Sequence, residues 1–591
     1  MSDTPERIFT GGPVLTMDPA APDAEALAVR DGTITAVGAA RDVLALRGRG
    51  TDVVDLQGHA LLPGFVEAHG HPTIMGLAIA PPALDVRPFT VPTGREVYDK
   101  IRAAVASAPG RPVGAYGIDL LLQRDLASPT RDLLDGISPH APLVVVSNSG
   151  HAAYGNTPAL RAAGITAVTP DPPGARFVRD ESGQPTGEAH ESAAVIALMN
   201  TVAGDRLDEH HVRTALRWSF AQHARVGITT VTEMAAEPRL LPDLRAAAEQ
   251  PDAEVRVRAY VMGTPDLAAD PDRRFTGHAP AREMFGVSGM KLWADGTPWQ
   301  GSIATSFPFL TGDATVRIGL DRCAHGGMNY STDELAFLAA AFTAQGFPVA
   351  THVHGDVTCE AVLHAYETAA GRDPERLRSL RPRLEHCGAI TADQYRRAAR
   401  LGATVSLFMD HVRWWGDVLA DDLFGPDVAA RWMAARTAVD AGHRVSLHND
   451  GVCSPTDPLS GVATAITRRS HPSGRVHGPD ERLTIEEALR AVTAGPAWQL
   501  HLENEVGTLR TGMRADLVAL TTDRAPRPLP GGGRRDSDVP RRTTDLALTT
   551  GRESPRHVQP SSTPRAVRRL SERDLPQRTV RRRSGTSHGL R

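Results

Sequence analysis

The stretch LLPGFVEAHGHP, residues 61–72, divides the chain into two kinds of sequence. Before it, IFTGGPVLTM, ALAVRDGTITAVG and DVVDLQGHALLPG read as short strands joined by Gly-Gly and Asp-Gly turns. After it, apolar strand-like runs alternate with amphipathic helical stretches as far as about residue 500. The runs include LVVVSNS (143–149), GITTVTEM (227–234), VRVRAYVM (255–262), GMKLWADG (289–296), FPVATHVHGD (347–356), RPRLEHC (381–387), GATVSLF (402–408) and HRVSLHND (443–450). Helices are predicted over 331–345, 356–370, 391–401 and 427–441. About eight strand-helix units of this kind suit an α/β fold closed as a (β/α)8 TIM barrel.

The composition fits such a fold. The 591 residues are 41% hydrophobic and 23% charged, which excludes a chain disordered throughout. A net charge of -4 argues against a dedicated nucleic-acid binder. No apolar stretch approaches a membrane span, and the N-terminus lacks the pattern of a secretory signal. Four scattered cysteines without a CxxC pair suit free thiols in a reducing compartment, so a cytoplasmic protein is expected. Residues 523–591 differ from the rest. They carry 17 Arg against 7 acidic residues, include 8 Pro, and lack Ile, Met, Phe, Trp, Tyr and Cys. Such a segment has too little apolar surface to offset chain entropy and is expected to be disordered.

Only two lysines, Lys100 and Lys291, occur among 65 basic residues. Where Arg serves as well as Lys, this chain uses Arg, so a retained Lys invites a chemical explanation. Lys291 lies at the end of a strand-like run, as do His352, His386 and Asp450. His69 and His71 are two apart, which on an extended strand places both imidazoles on one face. Each of these has an ordinary structural reading alone, and a second His-x-His, His352 and His354, shows how readily such a pair arises. A barrel, however, gathers the C-terminal ends of its strands at one mouth, where four His, one Lys and one Asp would meet.

The constellation resembles the amidohydrolase superfamily of metal-dependent hydrolases, and within it amidohydrolase family 3, which includes N-substituted formamide deformylases. The resemblance covers about residues 6–522. It is carried in family order by GPVLTMDPAAPDAEALAVRDGTITAVG, VVDLQGHALLPGF, SGHAAYGNTPAL, RDESGQPTGEAHE, GITTVTEM, GMKLWADG, HVHGD, RLEHCGAI, SLHNDGVCSPTDPL and VGTLRTGMRADLVAL. It implies a distorted barrel over 61–486, with 80–205 as an inserted subdomain. A small β-sandwich would be split between 1–60 and 487–522. The tail departs from the pattern after ADLVAL, as a reading-frame shift near residue 522 or natural divergence would produce.

The resemblance also implies roles. His69 and His71 would hold a first divalent metal with Asp450, and His352 and His386 a second. Lys291 would bridge them as a carbamate made from CO2, which a guanidinium cannot form; a single metal on His69, His71 and Asp450 is the alternative. Zn2+ leads, with Fe, Mn and Ni permitted by the same ligands. Asp450 would act as general base in hydrolysing a C–N bond of a small amide-like substrate. His151, Asp295 and Trp299 are candidates for substrate binding, each with a packing or capping role as its rival. Asp356 would orient a ligand or cap the following helix. Departures are Glu67 in place of Asp, His448 and Asn449 beside Asp450, and His354, a rival ligand to His352. A homodimer is left open. A deaminase, a cyclic-amide hydrolase of the same superfamily, or a non-catalytic protein on a decayed hydrolase fold are the competing expectations.

Overall fold

A computed structural model describes residues 4–520 except 173, 205–207, 271–282, 321–322 and 372. The expected disorder of 523–591 therefore lies outside the described residues.

Eight parallel strands follow one another in chain order around a single sheet. They are β1 (Phe65–Glu67), β2 (Ile228–Ala236), β3 (Arg256–Met262), β4 (Phe285–Trp293), β5 (Val349–Val353), β6 (Arg383–His386), β7 (Thr404–Leu407) and β8 (Ser446–Leu447). They are buried along almost their whole length, as strands covered by helices must be. Pairing is continuous from β1 to β8, but these two do not pair with each other. The seam is filled by residues 491–492: Leu447 N–H donates to the Ala491 carbonyl at 2.8 Å, and Val66 N–H to that of Val492 at 2.9 Å. The barrel is thus the distorted TIM barrel that the strand-helix alternation predicts.

Two four-stranded sheets flank it. One contains Arg7–Thr10, Ala26–Arg30, Thr33–Gly38 and Asp52–Asp55; the other pairs Ala60–Pro63 antiparallel with Leu517–Leu520. Strands from both ends of the described chain therefore share a sheet. Asp516 forms a buried ion pair with Arg256 at the start of β3, tying this sheet to the N-terminal end of the barrel. Between β1 and β2 an additional six-stranded sheet spans Leu84 to His190. The apolar run LVVVSNS belongs to it, as Leu143–Ser147, and not to the barrel.

Three of the four predicted helices form nearly as read. Thr332–Ala344 starts at the capping box of Ser331 and Glu334, and Ala392–Leu401 at that of Thr391 and Gln394. Asp356–Ala370 follows Gly355, where a β-carbon would lie 1.9 Å from the Ala304 carbonyl oxygen, so only glycine fits. The fourth, 427–441, is interrupted. Pro426–Ala430 and Ala435–Asp440 are separate helices, with Met433 at φ 52 between them. The buried Arg468 guanidinium donates to the freed carbonyls of Ala430, Trp432 and Met433 at 2.8–3.3 Å. A side chain distant in sequence offsets the break, and helical periodicity carries no trace of it.

Candidate active site

Strand register sets the site's height. Trp293 is opposite His352, and Val353 opposite His386, so the C-terminal ends of β4, β5 and β6 finish level. His69 and His71 lie beyond β1, which ends at Glu67; His71 directly precedes the helix Pro72–Ile79. Their convergence therefore comes from the turn into that helix and not from strand alternation. His386 (φ 70), Cys387 (φ 62) and Asp450 (φ 50) all adopt the left-handed backbone that non-glycine residues usually avoid. Such strain persists where the surroundings over-determine it, typically at functional sites.

The side chains meet in the interior. Asp450 Oδ1 is 3.2 Å from His71 Nε2 and 3.6 Å from His69 Nε2. The candidate ligand atoms of His69, His71 and Asp450 lie within 4.8 Å of one another, as do those of His352, His354 and His386 and those of His69, His386 and His448. Lys291 Nζ is 3.5 Å from His69 Nε2 and has no solvent exposure.

Hydrogen bonds identify the free ring nitrogens. His69 Nδ1 donates to Glu385 Oε2 at 2.7 Å, leaving Nε2 with its lone pair toward Asp450 and Lys291. His352 Nε2 donates to the Gly296 carbonyl at 2.7 Å, leaving Nδ1 free. His71 Nδ1 lies 3.6 Å from Glu233, which also accepts from Thr73 N–H at 2.8 Å. His386 Nδ1, His354 Nδ1 and both ring nitrogens of His448 are buried without a hydrogen-bond partner. Buried imidazoles with unused lone pairs are costly unless a cation takes them up, so this donor set fits a divalent metal.

The electrostatics favour the neutral, metal-binding imidazole at His69, His352 and His386, whereas the carboxylates beside His71 favour its protonated form in the absence of a cation. Burial, reinforced by Lys291 and neighbouring imidazoles, holds His69 well below the usual histidine value. Burial acts likewise on His352 and His386. Burial opposes charge on His71 too, but Asp450 and Glu233 outweigh it and raise the group to about 9. Burial draws Lys291 down to about 8, so about a tenth is a neutral amine at pH 7. For Asp450, burial is outweighed by His71, and its carboxyl stays below the usual range.

The remaining candidates divide. His151 lines the same cavity as the metal-type residues, its ring centroid 5.3 Å from those of His352 and Trp293. Its Nδ1 is 2.9 Å from Glu191 Oε2, and Glu191 itself has φ 66. Asp295 is fully buried and accepts from His354 and Gly355 N–H at 2.8–3.1 Å, so its carboxylate shapes the turn after β5. Trp299 stacks on Trp415 at 4.8 Å and borders a separate cavity of about 1010 Å³. Asp356 neither caps its helix nor meets a ligand; both its oxygens accept from Ser306. Glu67 is buried and accepts from Asn449 N–H at 3.2 Å, joining the ends of β1 and β8.

Three participants escaped the sequence reading. Trp293, two residues beyond Lys291, faces the cavity, and strand alternation was the available signal. Glu385 and Glu191 are joined to their histidines across 316 and 40 residues, and no local pattern announces them.

The cavity has a volume of about 240 Å³. His69, His71, His352, His386 and Asp450 line it. The rest of the lining is mainly apolar, with Leu77, Val144, Val146, Val195, Ile196, Met199 and Met262, and includes Asn200, Glu237 and Arg239.

The amidohydrolase family model matches residues 52–530, and the chain belongs to that family. It is a hydrolase of carbon–nitrogen bonds other than peptide bonds. It is 29% identical to the N-substituted formamide deformylase of Arthrobacter pascens, over 93% of this chain and 99% of that protein. It is 26% identical to the protein LONG AFTER FAR-RED 3 of Arabidopsis thaliana, over 88% and 87% of the two chains. A solved metal-dependent hydrolase of Pyrococcus horikoshii shares the fold, with TM-score 0.66 and 20% identity, covering 88% of this chain and 98% of that one. Among the described residues no helix is long and apolar enough to cross a membrane.

Proposed function

We propose that this hydrolase cleaves the amide bond of small N-substituted formamides bearing an apolar substituent on nitrogen. The observation that carries the reading is the placement of His69, His71 and Asp450, within one ion's reach of each other, in the lining of a mainly apolar cavity. The likeness to a formamide deformylase over nearly its full length supports the substrate class.

His69, His71 and Asp450 would hold a first cation, and His352 and His386 a second. Lys291 lies beside His69, and as a carbamate would offer a carboxylate to both. Zn2+ is the first choice for these ligands. Bound there, a divalent cation supplies a Lewis acid that lowers the pKa of water towards neutrality and polarises a carbonyl. Asp450, ionised at neutral pH, accepts a proton from the attacking water and delivers it to the leaving nitrogen. His151, fixed by Glu191 and close to His352 on the cavity lining, is placed to donate to the substrate carbonyl. The apolar walls bind the nitrogen substituent, which leaves as an amine with formate as the second product.

The test is turnover by the Zn2+-loaded protein of N-substituted formamides, the matching N-acetyl amines and cyclic amides, with formate, acetate and amine quantified. Formate release at least tenfold faster than acetate release supports the reading. Ring opening of cyclic amides, or ammonia release, without formate production overturns it.

A further inference from the structure

The second cation site contains one more imidazole than the proposed function uses. His352 and His354 are two apart at the end of β5, and the ligand atoms of His352, His354 and His386 lie within 4.8 Å of one another. All three are buried. Their orientation is fixed from outside the cluster. Gly296 accepts from His352 Nε2, which frees Nδ1. Asp295 accepts from the backbone N–H groups of His354 and Gly355, holding the turn that carries His354. The His354 ring lies between those of His386 and His411, at centroid distances of 4.9 and 5.0 Å and angles of 21° and 14°. Its Nδ1 has no hydrogen-bond partner and neither has that of His386.

Lys291 stands differently. The contact of its Nζ is with His69, in the first triad. Joining the second site would require the extra length of a carbamate, and hence CO2.

We propose that His354 is a ligand of the second cation site, so that His352, His354 and His386 form a three-imidazole site that takes up Zn2+ without carbamylation of Lys291. Three neutral imidazoles with a fourth position left open match the ligand set of catalytic Zn2+ sites. The inference rests on the metal-dependent reading above and goes beyond it in making the second site independent of Lys291. The first triad then loads through two imidazoles and a carboxylate, the second through imidazoles alone. The lysine carbamate links two sites that already hold their cations.

The test measures Zn2+ per chain and its Kd in the full-length protein. The His69→Ala background removes one ligand both from the first triad and from the group of His69, His386 and His448, and so isolates the second site. One Zn2+ is expected in His69→Ala and in His69→Ala/Lys291→Ala, with Kd values within threefold. Adding His354→Phe, which preserves the ring stack, is expected to weaken Kd at least tenfold. X-ray absorption of Zn2+ in His69→Ala/Lys291→Ala should count three imidazoles, a readout that does not depend on the Phe variant folding. Loss of the ion on Lys291→Ala, an unchanged Kd with His354→Phe, or a count of two imidazoles overturns the proposal. Wild-type protein that binds no Zn2+, Fe2+, Mn2+ or Ni2+ overturns the metal-dependent reading with it. Wild type that binds metal while the His354 arms fail overturns only this inference.

Discussion

His69 Nδ1 donates to Glu385 Oε2 across 2.7 Å, and both side chains are shielded from water. Glu385 also pairs with the buried Arg383 at 2.7 Å, and Arg383 donates to the Ala68 carbonyl next to His69. The carboxylate therefore fixes the tautomer of a proposed ligand while neutralising an interior guanidinium. Glu385→Gln retains the size and removes the charge. Outer partners of metal-bound histidines typically contribute 10–100-fold to affinity, so Zn2+ affinity is expected to fall by about that factor. The unpaired Arg383 should cost about 3–5 kcal/mol of stability. Zn2+ titration and chemical denaturation of this variant check both; unchanged metal affinity would refute the orienting role.

Lys291 supplies a second test. Lys291→Ala and Lys291→Arg should each lower kcat/KM for a formamide substrate by about 100-fold or more, equivalent to about 2.7 kcal/mol of transition-state stabilisation. Arg restores the charge but cannot become a carbamate. Mass spectrometry of the gently ionised native protein should find 44 Da, about the mass of one CO2, on the wild type alone. Full activity in the Arg variant excludes the carbamate.

The cavity walls set a size limit. Met199 borders the cavity on the helix Ser192–Ala203 and is partly exposed. Met199→Trp should fill space now open to the nitrogen substituent. Each buried methylene is worth about 0.8 kcal/mol, or about fourfold in kcat/KM, so wild type should gain along an N-alkyl series until the cavity is full. The Trp variant should reach its plateau about two carbons earlier while treating the shortest substrate as wild type does. Parallel series with no shift in plateau would place the substituent elsewhere.

Acid should destabilise the fold in a defined window. His223 is fully buried on the helix Glu209–Arg225, and its Nδ1 is 2.8 Å from the Ser219 carbonyl. Burial lowers it from 6.5 to about 4. Between these values the unfolded chain takes up a proton that the folded chain refuses. Stability is therefore full above pH 6.5 and falls as pH drops towards 4, by about 3 kcal/mol from this residue. Thermal melts from pH 7.5 to 4.5 should show a flatter decline for His223→Gln; identical slopes would refute the assignment.

Legibility in the sequence follows the range of the interactions. His69, His71, Lys291, His352, His386 and Asp450 could be picked out because each falls near the end of an apolar run, and the barrel brings those ends together. Trp293 was within reach of the same argument. Proximity to Lys291 reads Asp295 and Trp299 as pocket residues; Asp295 is held by the backbone N–H groups of His354 and Gly355, whereas Trp299 stacks on Trp415 and borders a second cavity. Partners such as Glu385 for His69, or Arg468 for the break near Met433, act through space across residues whose own periodicity is unremarkable. Helical and strand patterns record which face is apolar, not which distant side chain meets it.

The seam between β1 and β8 has a temporal consequence. His69 and Asp450 stand on opposite sides of it, and residues 491–492 lace it from the C-terminal side. The sheet leading into β1 takes its partner from Leu517–Leu520. During synthesis His69 and His71 leave the ribosome long before Asp450, their partner in the first triad. Closure of the seam brings His69 and His71 to Asp450, so the proposed first cation site is complete only once residues 491–492 are in place, whereas His352, His354 and His386 need only β5 and β6.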